Sequence, residues 1–447
     1  MTADPTFEIA EYISSVTFED LPEAAVANAK VAILDTLGVM LAGTRLRAGR
    51  QVIEYASECG SRPVATVAGT RLRTSAELAA LANGVLAHVQ DYDDRWHASV
   101  QTLPAALAAG EAADVDGREL IVAYVIGREL RVRLDAQFRA GRRGDGDRST
   151  APGWRGWHET GVFGVLGATA AAGHVLGLTA RQMATAIGIG SSLASGLIAN
   201  FGTSAKSLDA GNAARNGVLA ASLAARGFTA EPTILTARRG LIEALCFPGS
   251  RPVEPVAASL RSGFHIADRG VEVKPYPCAS GTHQYIETTR MMRDKYRLRP
   301  DDVTEIVLTW DADDTNKRRF ATDELEAKFS PSFAVIATLI DGAVTLDNCQ
   351  DDFLKRPDVR RLTAVTSYAD SADGFVQIRA ADGGVYREDL MPRVNYDTAE
   401  ERHAKFYECA APVIGHEAAR GLHEMTDGLE RVGSVRELAR LLVTDAR

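Results

Sequence analysis

Between His88 and His97 the chain places three carboxylates (Asp91, Asp93, Asp94), two imidazoles and a guanidinium within ten residues. Carboxylates at that density, directly after an Ala-rich segment that reads as buried, are rarely tolerated unless paired or given a chemical task. The competing reading is a solvated helix end followed by an acidic loop. Three further segments tip the balance, because each sets ionisable side chains beside glycines or at an element boundary: His158-Glu-Thr-Gly, the Gly/Ser-rich turn around Lys206, and the run from Lys274 through Pro-Tyr-Pro-Cys to His283. Histidine exchanges protons near neutral pH and an ammonium holds developing negative charge. Asp, His and Lys gathered from several loops therefore suit proton transfer at a carbon next to a carboxylate. Lysine is scarce, eight of 50 cationic residues, which makes Lys206 and Lys274 more informative than they would be in a Lys-rich chain.

Other chemistries find little support. The five cysteines are scattered with no Cys-x-x-Cys pair, so neither a disulfide framework nor a zinc or iron–sulfur site is expected, and no metal is assigned. The serines at 191, 192 and 195 lack a Gly-x-Ser-x-Gly setting, and Gly161, Gly164 and Gly167 follow no strand, so neither a hydrolase elbow nor a dinucleotide fingerprint is present. The formal charge of -9 is spread without a basic run, which argues against nucleic acid as a partner. No apolar run was found to reach the roughly 18 residues of a membrane span and no secretory leader is recognised, so a soluble, cytoplasmic protein without a membrane partner is expected.

The elements that must position these residues read as mostly α. Apolar residues make up 46% of the chain and aromatics 6%, with Ala and Gly abundant, a composition of closely approaching helices. Helices are expected from Pro22 to Gly43, with Asp35 interrupting its apolar face, and from Thr74 to about His88 with a Thr74–Glu77 capping box. Others are expected over Ala105–Ala113, Gly117 to about Leu134, from a Thr179–Gln182 cap, and over Ala210–Ala224 just after the Lys206 turn. A hairpin is expected within 64–72, and 136–157 reads as a long loop. Near Ser262 the pattern turns mixed: strands at 271–278, 303–309, 364–368, 374–379 and 385–390, helices at 282–295 and 333–339, then helix again from Asp397. The expected fold class is therefore a large all-helical domain built from both chain ends (1–266, completed by 396–447) and a smaller α+β lid domain (267–395) with an antiparallel sheet.

In order and wording these segments resemble the MmgE/PrpD family. The resemblance rests on Ile33-Leu-Asp-Thr-Leu-Gly-Val-Met-Leu-Ala-Gly, Asn83-Gly through Asp94, His158-x-Thr-Gly-x-x-Gly, Ala210-Gly-Asn-Ala-Ala-Arg-Asn-Gly, and Lys274-x-Tyr-Pro-Cys with His283. It implies a homodimer and a lyase, a dehydratase or decarboxylase of a small di- or tricarboxylate, working without metal or organic cofactor. An epimerase of a substituted dicarboxylate and a non-catalytic member are the alternatives. Carried over by position, the catalytic residues are Asp91, His158, Lys206 and His283: either histidine as base, Lys206 holding carboxylate or enolate charge, and Asp91 orienting or returning a proton. Arg95, His97, Gln101 and Lys274 are the expected binders of the small anionic substrate. The chain departs from decarboxylase-like members at four positions: Gln101 replaces a His, Arg95 a small hydroxyl residue, Asp209 a His before Ala-Gly, and Phe333 a Tyr.

Overall fold

A computed structural model describes residues 4–139, 155–245, 253–310, 319–371 and 373–444. Most of the expected 136–157 loop lies outside the described residues, and its first residues continue a helix.

The helical part is built on α1 (Glu23–Gly43), α2 (Ala76–Val89), α3 (Ser99–Ala113), α4 (Gly117–Arg139), α5 (Gly164–Val175) and α6 (Ser204–Ala225). α6 packs between α2 and α5. That contact is close because both faces lack side chains: a Cβ on Gly84 of α2 would come within 2.7 Å of the Gly211 Cα on α6. The expected Thr74–Glu77 capping box does not form; a single cap bond one residue on replaces it. Ser75 is the N-cap, with its hydroxyl accepting from Leu78 N, while Thr74 ends a two-strand hairpin, β1 (Ala65–Thr66) paired with β2 (Arg73–Thr74). α3 starts six residues earlier than expected and carries Pro104 in its interior. Its start is fixed by Asp94, whose carboxylate accepts from Ala98 N at 3.3 Å and Ser99 N at 3.1 Å.

The second part contains α7 (His283–Tyr296), α8 (Pro331–Asp341) and a four-stranded sheet of β3 (Val303–Trp310), β4 (Thr366–Asp370), β5 (Phe375–Ala380) and β6 (Val385–Asp389). The order is β4-β3-β5-β6. The sheet is mixed rather than wholly antiparallel: β3 pairs antiparallel with β5, but parallel with β4. Helices at 331–341 and 357–364 lie between β3 and β4 in sequence, which supplies the crossover a parallel pair requires. Residues 271–278, expected as a strand, join no ladder; 271–274 have no regular structure, 275–278 bend, and the segment links the two parts. Two apolar cores result, one drawing on residues 9–273 and 406–442, the other on 276–378.

The chain returns at α9 (Ala399–Ile414), capped by Thr398 with Glu401, one residue on from the expected cap. α9 packs on α1 and supplies Lys405, which pairs with Asp35 at 2.6 Å. The carboxylate that interrupts the apolar face of α1 is thus matched from 370 positions away (405 − 35 = 370). By length and composition α1 is apolar enough to cross a membrane, contrary to the reading that no such run exists, yet 67% of its most apolar stretch is buried in the helical core.

Candidate active site

Asp91 follows α2 in the left-handed region, at φ 50°. A non-glycine residue held there costs of order 1 kcal/mol and persists only where its surroundings fix it. They do. Lys206 Nζ lies 2.7 Å from one carboxylate oxygen, and Lys274 Nζ 2.5 Å from the other and 2.9 Å from the Asp91 carbonyl. Lys206 sits in the first turn of α6, not in a preceding turn, because the helix begins at Ser204; the Gly84–Gly211 approach brings that turn against the end of α2. The irregular 271–278 segment delivers Lys274 to the other oxygen. All three side chains are buried. Burial raises the Asp91 pKa, but the two ammonium groups outweigh it and hold the carboxyl well below the usual range. The Lys206 ammonium is pushed down by burial, with Asp91 opposing. Two cations around one carboxylate leave one positive charge in excess within the triad; Asp93 nearby offsets part of it at Lys206, and the remainder favours a further anion.

Beside the triad run three imidazoles. Asp93 lies 3.1 Å from His88 Nδ1 and 2.6 Å from His97 Nδ1, so one carboxylate orients both rings. The His88 ring meets His97 edge-on at 4.7 Å and stacks near-parallel to His158 at 6.1 Å. His158 Nδ1 in turn lies 2.8 Å from Asp209 on α6, three residues past Lys206. Gly196, at φ 118°, admits that carboxylate, since a Cβ there would sit 3.0 Å from Asp209 Cγ. Burial, reinforced by Lys206, holds His158 well below the usual histidine pKa; burial likewise brings His88 to about 4 and pushes Asp209 up to about 7. A neutral His158 donating from Nδ1 to Asp209 presents a bare Nε2, a base.

His88, Asp93 and His97 also place ligand-type atoms within 4.8 Å of one another, a grouping the linear spacing did not reveal. Their geometry fits a hydrogen-bonded triad, because both Asp93 oxygens already accept from imidazole nitrogens.

The remaining expected site residues divide. His283 opens α7 with Nε2 3.1 Å from the Cys278 carbonyl, its ring edge-on to Tyr276 at 5.3 Å; burial, then Lys274, bring its pKa to about 3. Its buried Nδ1 has no protein partner among the described residues. Arg95 is engaged elsewhere: it pairs with Glu272 at 3.0 Å and donates to Asn395 Oδ1 at 2.6 Å, fastening the 91–97 loop to the strand-free return segment. Gln101 is fully buried between α3 and α5, donating to the Ala98 carbonyl at 3.1 Å and packing against Gly164. Phe333 belongs to the second core, edge-on to Phe353. The sequence marked His88 and Asp93 as part of an ionisable cluster but did not show Asp93 as the link between the two rings. Asp209 stood out only as a departure, although the three-residue step from Lys206 on one helix was the available signal. Lys328, which donates to Gln90 Oε1 at 2.9 Å, had no local signal at all.

Residues 7–252 match the MmgE/PrpD N-terminal domain and residues 276–431 the MmgE/PrpD C-terminal domain. The chain belongs to the MmgE/PrpD family. Among its relatives, the cis-aconitate decarboxylase of Mus musculus is 30% identical over 381 residues, covering 81% of this chain and 75% of that protein. The Homo sapiens enzyme is 29% identical, with 80% and 75% covered, and the cis-aconitate decarboxylase of Aspergillus terreus 24% identical, with 98% and 95% covered. This MmgE/PrpD protein is an enzyme of the lyase type.

Proposed function

We propose that the chain is a lyase of a small tricarboxylate and that its reaction is decarboxylation. The observation that carries this reading is the buried Lys206–Asp91–Lys274 triad, with its surplus positive charge, beside the neutral His158. A substrate carboxylate would share the two ammonium groups with Asp91. As the C–CO2 bond breaks, CO2 leaves and the electron pair of that bond spreads onto a conjugated carboxylate as an enolate, where Lys206 and Lys274 oppose the charge; one proton taken from water, through His158 Nε2, then adds to carbon and hydroxide is left to the solvent. The relatives' activity supports this outcome.

A second reading, a hydro-lyase or an epimerase of a dicarboxylate, has its own support. His158 starts as a base with a bare Nε2, suited to removing a proton next to a carboxylate, and Gln101 cannot transfer a proton where the resembling decarboxylases carry His. On that reading cis-aconitate is a poor substrate. The test is NMR in deuterated water with cis-aconitate, hydroxy-tricarboxylates and substituted succinates in parallel. Rapid CO2 release from cis-aconitate sustains the first reading and refutes the second; deuterium at the α-carbon of another acid, without CO2, does the reverse. We further propose that the enzyme is a homodimer, which sedimentation checks: a monomer at all concentrations refutes it.

A further inference from the structure

Arg128 lies on the inward face of α4, one turn beyond Tyr124, and is completely buried. Among the described residues its Nε, Nη1 and Nη2 have no hydrogen-bond partner. Other cations of the interior have a carboxylate within ion-pair distance: buried Arg131 has Asp135 at 2.9 Å, part-buried Arg133 has Glu129 at 3.0 Å, and buried Lys405 has Asp35 at 2.6 Å. A guanidinium carries five donors and does not deprotonate, and an unpaired buried ion costs several kcal/mol. Such a group calls for an occupant.

Its neighbours define what fits. Tyr124, one turn back, holds Ser99 Oγ at 2.8 Å, and Ser99 N donates to Asp94, so this face of α4 backs onto the 91–97 loop. Glu129, the next residue on α4, accepts from the backbone nitrogens of His265 and Ile266 at 2.8 and 2.9 Å, which sets His265 against this helix, and the His265 Nδ1 is likewise buried without a protein partner among the described residues. The His265 ring meets Trp96 of the loop edge-on at 6.1 Å. Both rings are only part-buried, so the cluster reaches the surface through them. Arg131, on the same helix face, is among the cations that keep His158 neutral, which places the far end of this polar stripe within reach of the field at the candidate base. A guanidinium fork with an adjacent imidazole nitrogen matches the planar, two-oxygen acceptor of a carboxylate.

We propose that Arg128, assisted by His265 Nδ1, forms a second carboxylate-binding subsite, distinct from the Lys206–Asp91–Lys274 triad. The inference rests on the polycarboxylate reading above. The carboxylate belongs either to the substrate, as the group remote from the reacting carbon, or to a separate small acid.

Calorimetry with tricarballylate, an unreactive saturated tricarboxylate, and with succinate tests it. Arg128→Met should weaken tricarballylate about tenfold or more, and His265→Phe, which keeps the ring contact with Trp96, about threefold. The unliganded Arg128→Met protein should melt no lower than the wild type, because an unpaired buried charge has been removed. If Arg128→Met does not fold, Arg128→Lys, which keeps the charge and loses the fork, is expected to weaken tricarballylate several-fold. Loss confined to tricarballylate assigns the subsite to the substrate's third carboxylate; loss of an additional succinate-binding event assigns it to a separate acid. Affinities unchanged within twofold in the Arg128 and His265 variants overturn the subsite and leave the functional reading standing. A wild type that binds no polycarboxylate overturns the functional reading itself.

Discussion

Two buried carboxylates, Asp35 and Asp91, lie back to back in this molecule and behave oppositely. Asp35 faces one ammonium, Lys405, which also donates to the carbonyl of Tyr92, the residue after Asp91. Asp91 faces two. With one cation, burial wins and the Asp35 carboxyl is pushed up; with two, the cations win and Asp91 is held well down. Burial is common to both. The ratio of charges separates a fastening from a site, because a matched pair has nothing left to offer a ligand, whereas an unmatched one does. The Asp35 pair joins α9 to α1 with charges matched, while the Asp91 triad joins the end of α2 to α6 and to the 271–278 segment with one cation in excess.

The sharpest way to break this comparison is to unpair the fastening. Lys405→Met should destabilise the protein by about 3–5 kcal/mol, since it strands Asp35 in the helical core, while the folded fraction keeps its turnover. Asp35→Leu with Lys405→Met should recover most of the loss; urea unfolding of the three proteins checks both statements, and a double variant as unstable as the single would sink them. In the triad the outcome reverses. Lys206→Met leaves Asp91 still paired with Lys274, so melting should move little while turnover falls about a hundredfold or more. Near-normal kinetics in that variant would remove Lys206 from the site.

A subtler test concerns the His158–Asp209 pair. Burial lifts the Asp209 pKa to about 7, so the rate should carry an ionisation near pH 7 that Asp209→Asn abolishes, with a rate loss of about tenfold at neutral pH. The sign for stability follows from the same shift. A carboxyl raised in the folded state binds its proton more tightly there. Its contribution is complete below the unfolded value of 3.8 and is lost as pH rises through about 7. Relative to the wild type, Asp209→Asn should therefore gain stability between pH 4 and 8, measured by melting across that range; a constant offset would show that Asp209 does not titrate there. The smallest expected effect is none. If His88, Asp93 and His97 form a hydrogen-bonded triad, chelator treatment leaves turnover unchanged, and a loss restored by a divalent ion would reassign them as ligands.

Local signals carried far. The apolar spacing of α1, the caps of α2 and α9 and the glycines that let α2 meet α6 are written in runs of a few residues, so these elements were legible to within a few positions. The ionisable side chains Asp91 and Lys206, which the structure brings together, also stood out in one dimension, because charge at an apolar boundary is conspicuous. What linear order does not encode is which charge meets which. Lys274 reaches Asp91 across 183 positions, and Lys405 reaches Asp35 across far more. Arg95, read as a substrate binder, is taken by Glu272 and Asn395, and Arg128, on a helix with nothing to mark it, is left unpaired in the interior. Residue types and their local spacing determined that this is a helical, charge-bearing protein of its family. Tertiary packing decided the pairings, because electrostatic energy depends on distance and burial, and both are fixed only when distant segments close on one another.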